Sequence, residues 1–473
     1  MQKVPRPFPI EYHSFGGSPI NAQASRRIPS PFASGNLISR ARVPAPQMPT
    51  HVETLGNGLK VILRPIPDTK ALSTWVVYRI GSRNEVPGMT GSTHWVEHML
   101  FKGGGKLAKG DIDKLISRLG GKMNAFTDTD YTMYFETIPA TALDTALMIE
   151  SERMRNAAFD PKEVEAERTV VISEREGAEN QPDFAVEEEL WGLAFHVHPY
   201  HWTAIGYKQD LATLARDPLY RHYLRFYAPN NASLILVGGF DVAVAMQHIR
   251  EAFGRLQPEA PPDPLRLAEP EQRGERRSDL ERPGPADLLS VGWHIPGAAH
   301  EDTPALVLLS TVLGGWRGFV PFAAGDWRPR SNRLYRALVE AKLATDVGVR
   351  LESKLDPSLL IANATLAPGA SLDRVEAVLD REIEKLKRAP PPKSELARAH
   401  QQVRAWARYE QDGVTFQGML LSAGEGLGAW DFAEALLAKV EKVRPEQVRA
   451  AARRYLVEAH RTVVRFHAQE VPG

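Results

Sequence analysis

The chain has 473 residues, which is long enough for two domains with separate cores. Its 58 basic and 58 acidic residues cancel, and no apolar run is long enough for a bilayer, so the composition argues against nucleic-acid partners and membrane spans. Because cysteine is absent, disulfides and thiolate ligands are excluded, and any zinc must be held by nitrogen and oxygen.

Residues 1–50 have an unusual composition, rich in Pro, Ser and Arg, with Glu11 as their only acidic residue. A secretory signal needs a continuous apolar core, and none is recognisable in this segment. Repeated prolines also disfavour the amphipathic helix of an organelle transit peptide. We therefore expect an N-terminal arm that lies on a domain or on a partner.

Residues 51–256 carry a regular pattern of strands and helices and form the predicted first half. Runs rich in β-branched and aromatic residues predict strands over 58–66, 73–81, 122–127, 131–138 and 232–240. Periodic apolar residues predict helices over 90–103, 109–119, 140–157 and 242–256, and a long helix that begins after the capping pair Asp160-Pro161.

Residues 257–285 interrupt this pattern with prolines and charges, which predicts an extended linker. The order then restarts in a second half, residues 286–473. Its predicted elements are a strand at 287–295, helices at 303–313 and 333–343, strands near 346–366 and long helices afterwards. Such a restart indicates an internal duplication.

The two halves differ in their polar residues when Leu100 is matched to Leu313 and Pro161 to Pro392. The positions paired in this way are His94 with Val307, Glu97 with Ser310, His98 with Thr311, and Glu174 with Ala405. The second half therefore keeps the scaffold and lacks the polar constellation. We interpret it as a degenerate half without zinc ligands, and conclude that the fold itself does not require the polar residues of the first half.

The segment GSTHWVEHMLFKGG carries His94, Glu97 and His98 on a predicted helix. Residues three and four apart share one helix face, so both imidazoles can reach one metal ion with Glu97 beside them. A catalytic zinc needs three protein ligands and an open position for water, and a neighbouring carboxylate can accept the proton of that water. The alternative is an amphipathic helix whose histidines are satisfied by local hydrogen bonds.

A third ligand is available on the long helix after Pro161, where Glu167, Val171 and Glu174 share one stripe. Most acidic residues of this helix are expected on a solvated face. A carboxylate on an inward, partly apolar stripe needs a partner, because burying it alone is costly. A metal ion would be a suitable partner.

Several segments together resemble the inverzincins, the pitrilysin-type metallopeptidases, and most closely their short-chain branch with the mitochondrial processing peptidase and its bacterial relatives. The segments are GSTHWVEHMLFKG, GGKMNAFTDTDYTMYF, EAERTVVISE, HPYHWTAIGY and FYAPNNASLILVGGFD. The resemblance covers residues 52–255 and, as the degenerate copy, 286–466. It implies an α+β fold of two homologous α/β-sandwich halves, each with a mixed, mainly antiparallel sheet flanked by helices.

The resemblance also implies roles for these residues. His94, His98 and Glu174 would bind one Zn²⁺ per chain, and Glu97 would be the general base. Glu167 would support the site without binding the same ion, because it lies two helical turns from Glu174.

In such relatives the strand that is here Asn124-Ala125-Phe126-Thr127 is an edge strand, and it accepts the peptide substrate as an added strand. The alternative is that Asn124 only caps a turn.

The second half departs from the pattern of active single-chain relatives, R-L-F-x-x-L-R-E-x-x-G-L-A-Y. This chain reads RLYRALVEAKLATDV, with Val339 in place of the arginine and Thr345 or Asp346 in place of the tyrosine. These two side chains steady the substrate carbonyl and the developing oxyanion in relatives, and losing such donors is costly in rate. Either Arg333, Tyr335 or Arg336 moves in, or, as we favour, a homologous partner subunit without the zinc motif supplies the pair.

We therefore predict a zinc endopeptidase for peptides or small unfolded proteins that forms the catalytic half of a heterodimer. The alternatives are a self-sufficient homodimeric peptidase and a non-catalytic scaffold subunit. The aromatic and arginine-rich insert 316–332 is typical of interfaces, or equally of a loop packed on its own domain. No ligand role is assigned to His196, His198 or His201. The resemblance favours the bacterial cytoplasm or periplasm without deciding between them.

Overall fold

The computed structural model describes residues 49–316, 318, 330–409 and 411–470. Almost all of the predicted N-terminal arm and most of the insert 316–332 lie outside the described residues. Among the described helices, none combines the length and the apolar character needed to cross a bilayer.

The described strands all belong to two sheets. They are β1 (His51–Thr54), β2 (Lys60–Pro65), β3 (Ala71–Tyr78), β4 (Lys122–Thr127), β5 (Thr132–Pro139), β6 (Ala232–Gly238), β7 (Arg276–Pro283), β8 (Leu288–Ile295), β9 (Ala344–Leu351), β10 (Ser358–Leu366) and β11 (Arg461–Gln469).

The described helices flank these sheets, some on a sheet directly and some on other helices. They are α1 (Ser92–Met99), α2 (Asp111–Arg118), α3 (Leu143–Arg155), α4 (Pro161–Glu179), α5 (Pro182–Ala194), α6 (Lys208–Thr213), α7 (Arg216–Phe226), α8 (Val242–Phe253), α9 (Thr303–Leu313), α10 (Leu372–Arg388), α11 (Lys393–Tyr409), α12 (Gly413–Gly426), α13 (Phe432–Val440) and α14 (Pro445–Tyr455). Short 3₁₀ turns occur at Ser82–Asn84, Ala140–Ala142, Pro199–His201, Pro229–Asn231 and Glu458–His460.

Both sheets have the same strand order. The first runs β1-β2-β6-β3-β5-β4 and the second runs β7-β11-β8-β10-β9. In each, one parallel pair (β2 with β6, β7 with β11) stands beside antiparallel pairs. Apart from β1, every strand of the first sheet thus has a counterpart in the second. The predicted α+β fold with mixed, mainly antiparallel sheets flanked by helices is confirmed, and the shared order supports the duplication.

The two halves exchange one helix each. Along β3, Val76 and Tyr78 face the main core of the first half, whereas Trp75 and Val77 face Met419 of α12. This alternation follows from the period of two in a strand. In return, α5 of the first half packs on the second sheet, where Val186, Leu190 and Trp191 contact Leu359, Ile361, Val464 and Phe466. Each sheet is therefore buried on one face by the other half of the chain.

Two sequence predictions need correction. The predicted linker 257–285 has no regular structure up to residue 275, but its last part forms the edge strand β7. The reason is parallel pairing with the remote strand β11, which a charged segment without β-branched residues does not reveal. The predicted helix 333–343 ends early, as a π-helical turn over Tyr335–Val339 before Lys342 adopts a φ of 58°.

The seat of α12 on the first sheet gives a test of the packing. A Cβ at Gly418 would lie 2.2 Å from Nε1 of Trp75, whose ring is buried and stacked on Phe135 at 4.3 Å. We expect Gly418→Ala to lower the free energy of unfolding by about 1–3 kcal/mol, because the ring cannot retreat.

Denaturant unfolding would measure this change, with Gly177→Ala in α4 as the matched control. A Cβ at Gly177 meets nothing within 4 Å, so the helix preference of alanine should raise stability by about 0.5–1 kcal/mol. Equal effects of the two substitutions would contradict the described packing.

Candidate metal centre

Helix α1 is held at its start by the buried carboxylate of Glu85. Its oxygens accept hydrogen bonds from the backbone N–H of Gly91 (2.8 Å) and of Thr93 (2.7 Å). Such an acid at a helix N-terminus satisfies donors that have no partner within the helix. Gly91 has a φ of 82°, and a Cβ there would lie 2.5 Å from the carbonyl oxygen of Ile205. The GSTH segment and the loop before α6 therefore need glycine at this contact.

The structure brings His94, His98 and Glu174 together. Nε2 of His94 and Nε2 of His98 lie 3.2 Å apart, and Oε2 of Glu174 lies 3.8 Å and 3.5 Å from them. Both imidazoles belong to α1 and are buried, while the Glu174 side chain on α4 remains 17% exposed. The three candidate ligand atoms thus form a small cradle, in which Glu174 is the most exposed member.

Helix α4 delivers Glu174 because its inward stripe is buried against α1. The Asp160 carboxylate caps its first turn, accepting from the N–H of Lys162 at 2.8 Å. Glu167 and Val171 are buried on the same stripe. Oε1 of Glu167 lies 2.9 Å from Nδ1 of His98, and Nζ of Lys102 lies 2.5 Å from its other oxygen. A proton on Nδ1 of His98 leaves Nε2 with its lone pair toward the cradle.

Burial shifts the ionisation of this group in opposite directions. It raises the pKa of Glu174 to about 7 and holds the pKa of His94 well below its ordinary value. Burial also lowers the pKa of His98, but the bonded Glu167 carboxylate and the nearby Glu97 and Glu174 raise it above its usual value. The pKa of Glu97 is raised by burial, although His98 and Thr127 oppose this.

The donor set fits a divalent metal. Zinc bonds of about 2.0–2.2 Å at tetrahedral angles place ligand atoms roughly 3.3–3.6 Å apart, close to the separations of the cradle. Oε1 of Glu174 is buried and has no hydrogen-bond partner within the described part of the chain. Three acceptor atoms facing one another repel unless a proton or a cation lies between them. Two imidazoles and one carboxylate also leave a fourth position for water, as in catalytic zinc sites.

Glu97 lies beside the cradle and is connected to the strand β4. The Thr127 hydroxyl at the end of β4 donates a short hydrogen bond to Oε2 of Glu97. Within the described residues β4 pairs only with β5, so it is an edge strand as predicted. Asn124 lies inside this strand, where its Oδ1 accepts from the N–H of Ala125, so it does not cap a turn. Phe126 stacks at 6.0 Å on Phe135 of β5.

The second half shows how the same scaffold is satisfied without a metal. The hydroxyls of Ser310 and Thr311 on α9 both donate to the carbonyl of Val307 in their own helix. Val339 packs on the second core, and Thr345 on β9 donates to the carbonyl of Thr365. Two of the four matched positions therefore carry hydroxyls with local hydrogen bonds, and the other two carry the apolar side chains of Val307 and Ala405.

The residues considered above as substitutes for the missing arginine and tyrosine have other contacts or are exposed. Nε and Nη2 of Arg333 donate to the two carboxylate oxygens of Glu395, at 2.9 Å and 2.7 Å. Tyr335 packs against the second core and Arg336 is exposed. His198, to which no ligand role was assigned, is buried with its Nε2 3.0 Å from Asp356.

Sequence reasoning missed Glu85 and Lys102. An acidic residue shortly before a predicted helix is a detectable signal for Glu85. Lys102 lies one turn beyond His98, and only the packing of α4 on α1 reveals that it shares the Glu167 carboxylate.

Two family models match most of the chain. Residues 60–206 match the family model described as Insulinase (Peptidase family M16), and residues 213–403 match the model described as Peptidase M16 inactive domain. The chain is 30% identical over 358 residues to the zinc protease PqqE of Helicobacter pylori, covering 74% of this chain and 77% of that protein.

Two further similarities agree with this. The chain is 25% identical over 270 residues to a probable mitochondrial-processing peptidase subunit beta of Arabidopsis thaliana, covering 56% of this chain and 51% of that protein. The crystal structure of a protease from Helicobacter pylori superposes with a TM-score of 0.83 at 25% identity, covering 88% of this chain and 99% of that one.

The contact between Glu167 and His98 gives a test of the cradle. We expect Glu167→Ala to weaken zinc binding by about 10- to 100-fold, because His98 loses the acceptor that orients its ring. Competition with a chromogenic chelator would measure the zinc Kd. Glu163→Ala is the control, since Glu163 lies on the same helix and binds Lys109 at the surface. An unchanged Kd in folded Glu167→Ala would show that this contact does not support the ligand.

Proposed function

Because the chain belongs to the M16 family of zinc peptidases, we propose that it is a zinc-dependent endopeptidase acting on peptides or small unfolded proteins. The observation that carries the proposal is the meeting of three ligand atoms, from His94, His98 and Glu174, with a fourth buried polar group beside them. That group is Glu97, which directly precedes His98 on α1.

The chain's own residues would move the protons of hydrolysis. When zinc is bound, it would lower the pKa of a coordinated water toward neutrality and polarise the scissile carbonyl. Glu97 would accept the proton of the attacking water, and Thr127 occupies its Oε2, which leaves Oε1 for this proton. The same carboxyl would then return a proton to the leaving amine nitrogen.

The edge strand β4 would hold the substrate. A peptide that adds to this edge as a further strand gains main-chain hydrogen bonds, and these are independent of its sequence. The segment Asn124-Ala125-Phe126-Thr127 ends with the residue that binds the Glu97 carboxylate. A peptide paired with this segment would therefore pass close to the base and the cradle. Extended or unfolded segments fit such an edge, whereas folded domains do not offer a free strand.

The base assignment is tested by Glu97→Gln, which keeps the size of the side chain and removes its basicity. We expect kcat for a fluorogenic peptide to fall by about 10²- to 10⁴-fold, because general acid–base catalysis contributes on this order. Bound zinc, measured by atomic emission, should stay at wild-type level.

Glu165→Gln is the matched control, since Glu165 lies exposed on α4 and pairs only with Arg168 among the described contacts. Its activity should equal that of the wild type. Unchanged hydrolysis by Glu97→Gln would refute Glu97 as the base.

We further infer that a homologous subunit without the zinc motif completes the site. The supporting observations are the positions of Val339 and Thr345, and the engagement of Arg333 with Glu395. A second copy of this chain would carry the same residues at 339 and 345, so it would not supply an arginine and a tyrosine from these positions.

The partner inference predicts that the purified chain alone binds zinc and cleaves peptides poorly. Adding the homologous subunit should raise kcat/KM by about 10²- to 10³-fold, the typical value of preorganised oxyanion donors. Titration of one subunit with the other, followed by peptide cleavage, would measure this. A partner whose arginine and tyrosine are changed to alanine and phenylalanine is the control. Full activity of the chain alone would overturn the inference.

A further inference from the structure

The loop between β9 and β10 of the second half binds the turn that follows the edge strand β4. That turn consists of Asp128, Thr129 and Asp130. Nζ of Lys354 donates to the Thr129 hydroxyl at 2.7 Å and lies 3.3 Å from the Asp128 carboxylate. The backbone N–H of Leu355 donates to Oδ2 of Asp130 at 2.9 Å.

An arginine of the first half connects the two sides of this contact. Arg83 donates from Nη1 to Oδ1 of Asp130 at 3.1 Å and from Nη2 to the Asp356 carboxylate at 2.5 Å. The Tyr200 hydroxyl also donates to Oδ1 of Asp130, at 2.6 Å. Arg83, Asp130 and Lys354 are all buried, so these are charges taken out of water together rather than a surface ion pair.

The same turn is held from the first half as well. The backbone N–H groups of Ser82 and Arg83 donate to the carbonyls of Asp128 and Thr129, at 3.2 Å and 3.0 Å. The turn is therefore fixed between a loop of its own half and a loop of the other half. The Lys354 ammonium lies 5.5 Å from the ring centre of Trp191 on α5, which adds a further contact between the halves.

The position of the turn matters because of what precedes it. Thr127, which holds the Glu97 carboxylate, is the residue directly before Asp128. As an edge strand, β4 is restrained by β5 along one side only, so its end depends on other contacts for a fixed position. The clasp formed by Lys354, Leu355 and Asp356 provides such contacts from the half that has no zinc ligands.

We propose that Lys354 and Asp356 are positioning residues that hold the open edge of β4, and through Thr127 the Glu97 carboxylate, in the geometry for substrate pairing. This rests on the proposed peptidase function. It assigns the second half an indirect part in substrate binding, through the position of β4, in addition to packing. Neither residue contacts His94, His98 or Glu174 among the described contacts, so the metal cradle should not depend on them.

The test uses Lys354→Met, which keeps the apolar stem beside Trp191 and removes the charge, and Asp356→Asn as a milder second variant. In the full chain, with the partner subunit present if activity needs it, we expect KM for an extended peptide to rise about three- to tenfold, because small misplacements weaken pairing. Hydrogen exchange of the β4 amides should be about tenfold faster. The zinc Kd should be unchanged, and the KM of Lys354→Arg, which keeps the charge, should stay close to the wild-type value.

The matched control is Arg64→Met. Arg64 on β2 is buried and forms another ion pair between the halves, with Glu434 on α13 at 2.8 Å, away from β4. It should lower thermal stability while KM and the exchange of β4 stay at wild-type values. An equal rise of KM in this control, or unchanged KM and unchanged exchange in Lys354→Met, would overturn the proposal. If wild type cleaves nothing, the peptidase function itself fails, and the exchange of β4 still reports whether the clasp holds the strand.

Discussion

The constraint on which the candidate site depends is the close approach of the partly buried Glu174 carboxylate to two imidazoles. Three acceptor atoms within 3.2–3.8 Å of one another are unfavourable unless a proton or a cation joins them. This arrangement requires α1 and α4 to keep their register. Glu85 fixes the start of α1, and the Glu167 carboxylate connects the two helices through His98. The packing of α1 and α4 thus keeps these acceptor atoms close together despite their mutual repulsion.

The exchanged helices extend this dependence to the second half. Arg175, the neighbour of Glu174 on α4, binds both oxygens of Glu188 on α5 at 2.7 Å and 2.8 Å. The same helix lies on the second sheet, and the guanidinium of Arg276 on β7 donates to the carbonyls at its end, those of Leu193 and Ala194. A displacement of the second sheet would therefore be transmitted to α4. The second half therefore contributes to the position of Glu174, one of the three residues proposed to bind zinc.

The features that the sequence could predict are those set by local periodicity. The spacing of His94, Glu97 and His98 on one helix face, and the alternation in 122–127 and 131–138, depend only on near neighbours. The fold class was implied by the family resemblance of the motifs. The strand β7 and the clasp of Lys354 depend on partners remote in the chain. Leu355 and Asp130, for example, are 225 residues apart. Residue types in such contacts are ordinary for a solvated loop, so no local pattern distinguishes them before the halves are placed together.

Stable packing and a buried polar site are conflicting requirements within one core, and the duplication assigns them to different halves. A buried cluster of one carboxylate and two imidazoles lowers the stability of the fold that contains it, because these groups are removed from water without full compensation by hydrogen bonds. In the second half, Ser310 and Thr311 satisfy their hydroxyls within α9, and the equivalent of Glu174 is Ala405. That half can therefore pack without this strain. Its helix α12 covers the first sheet, and its β9–β10 loop clasps the turn after β4. Packing contacts from a half without such buried polar groups are thus a physical reason for the second half to be present beside the first.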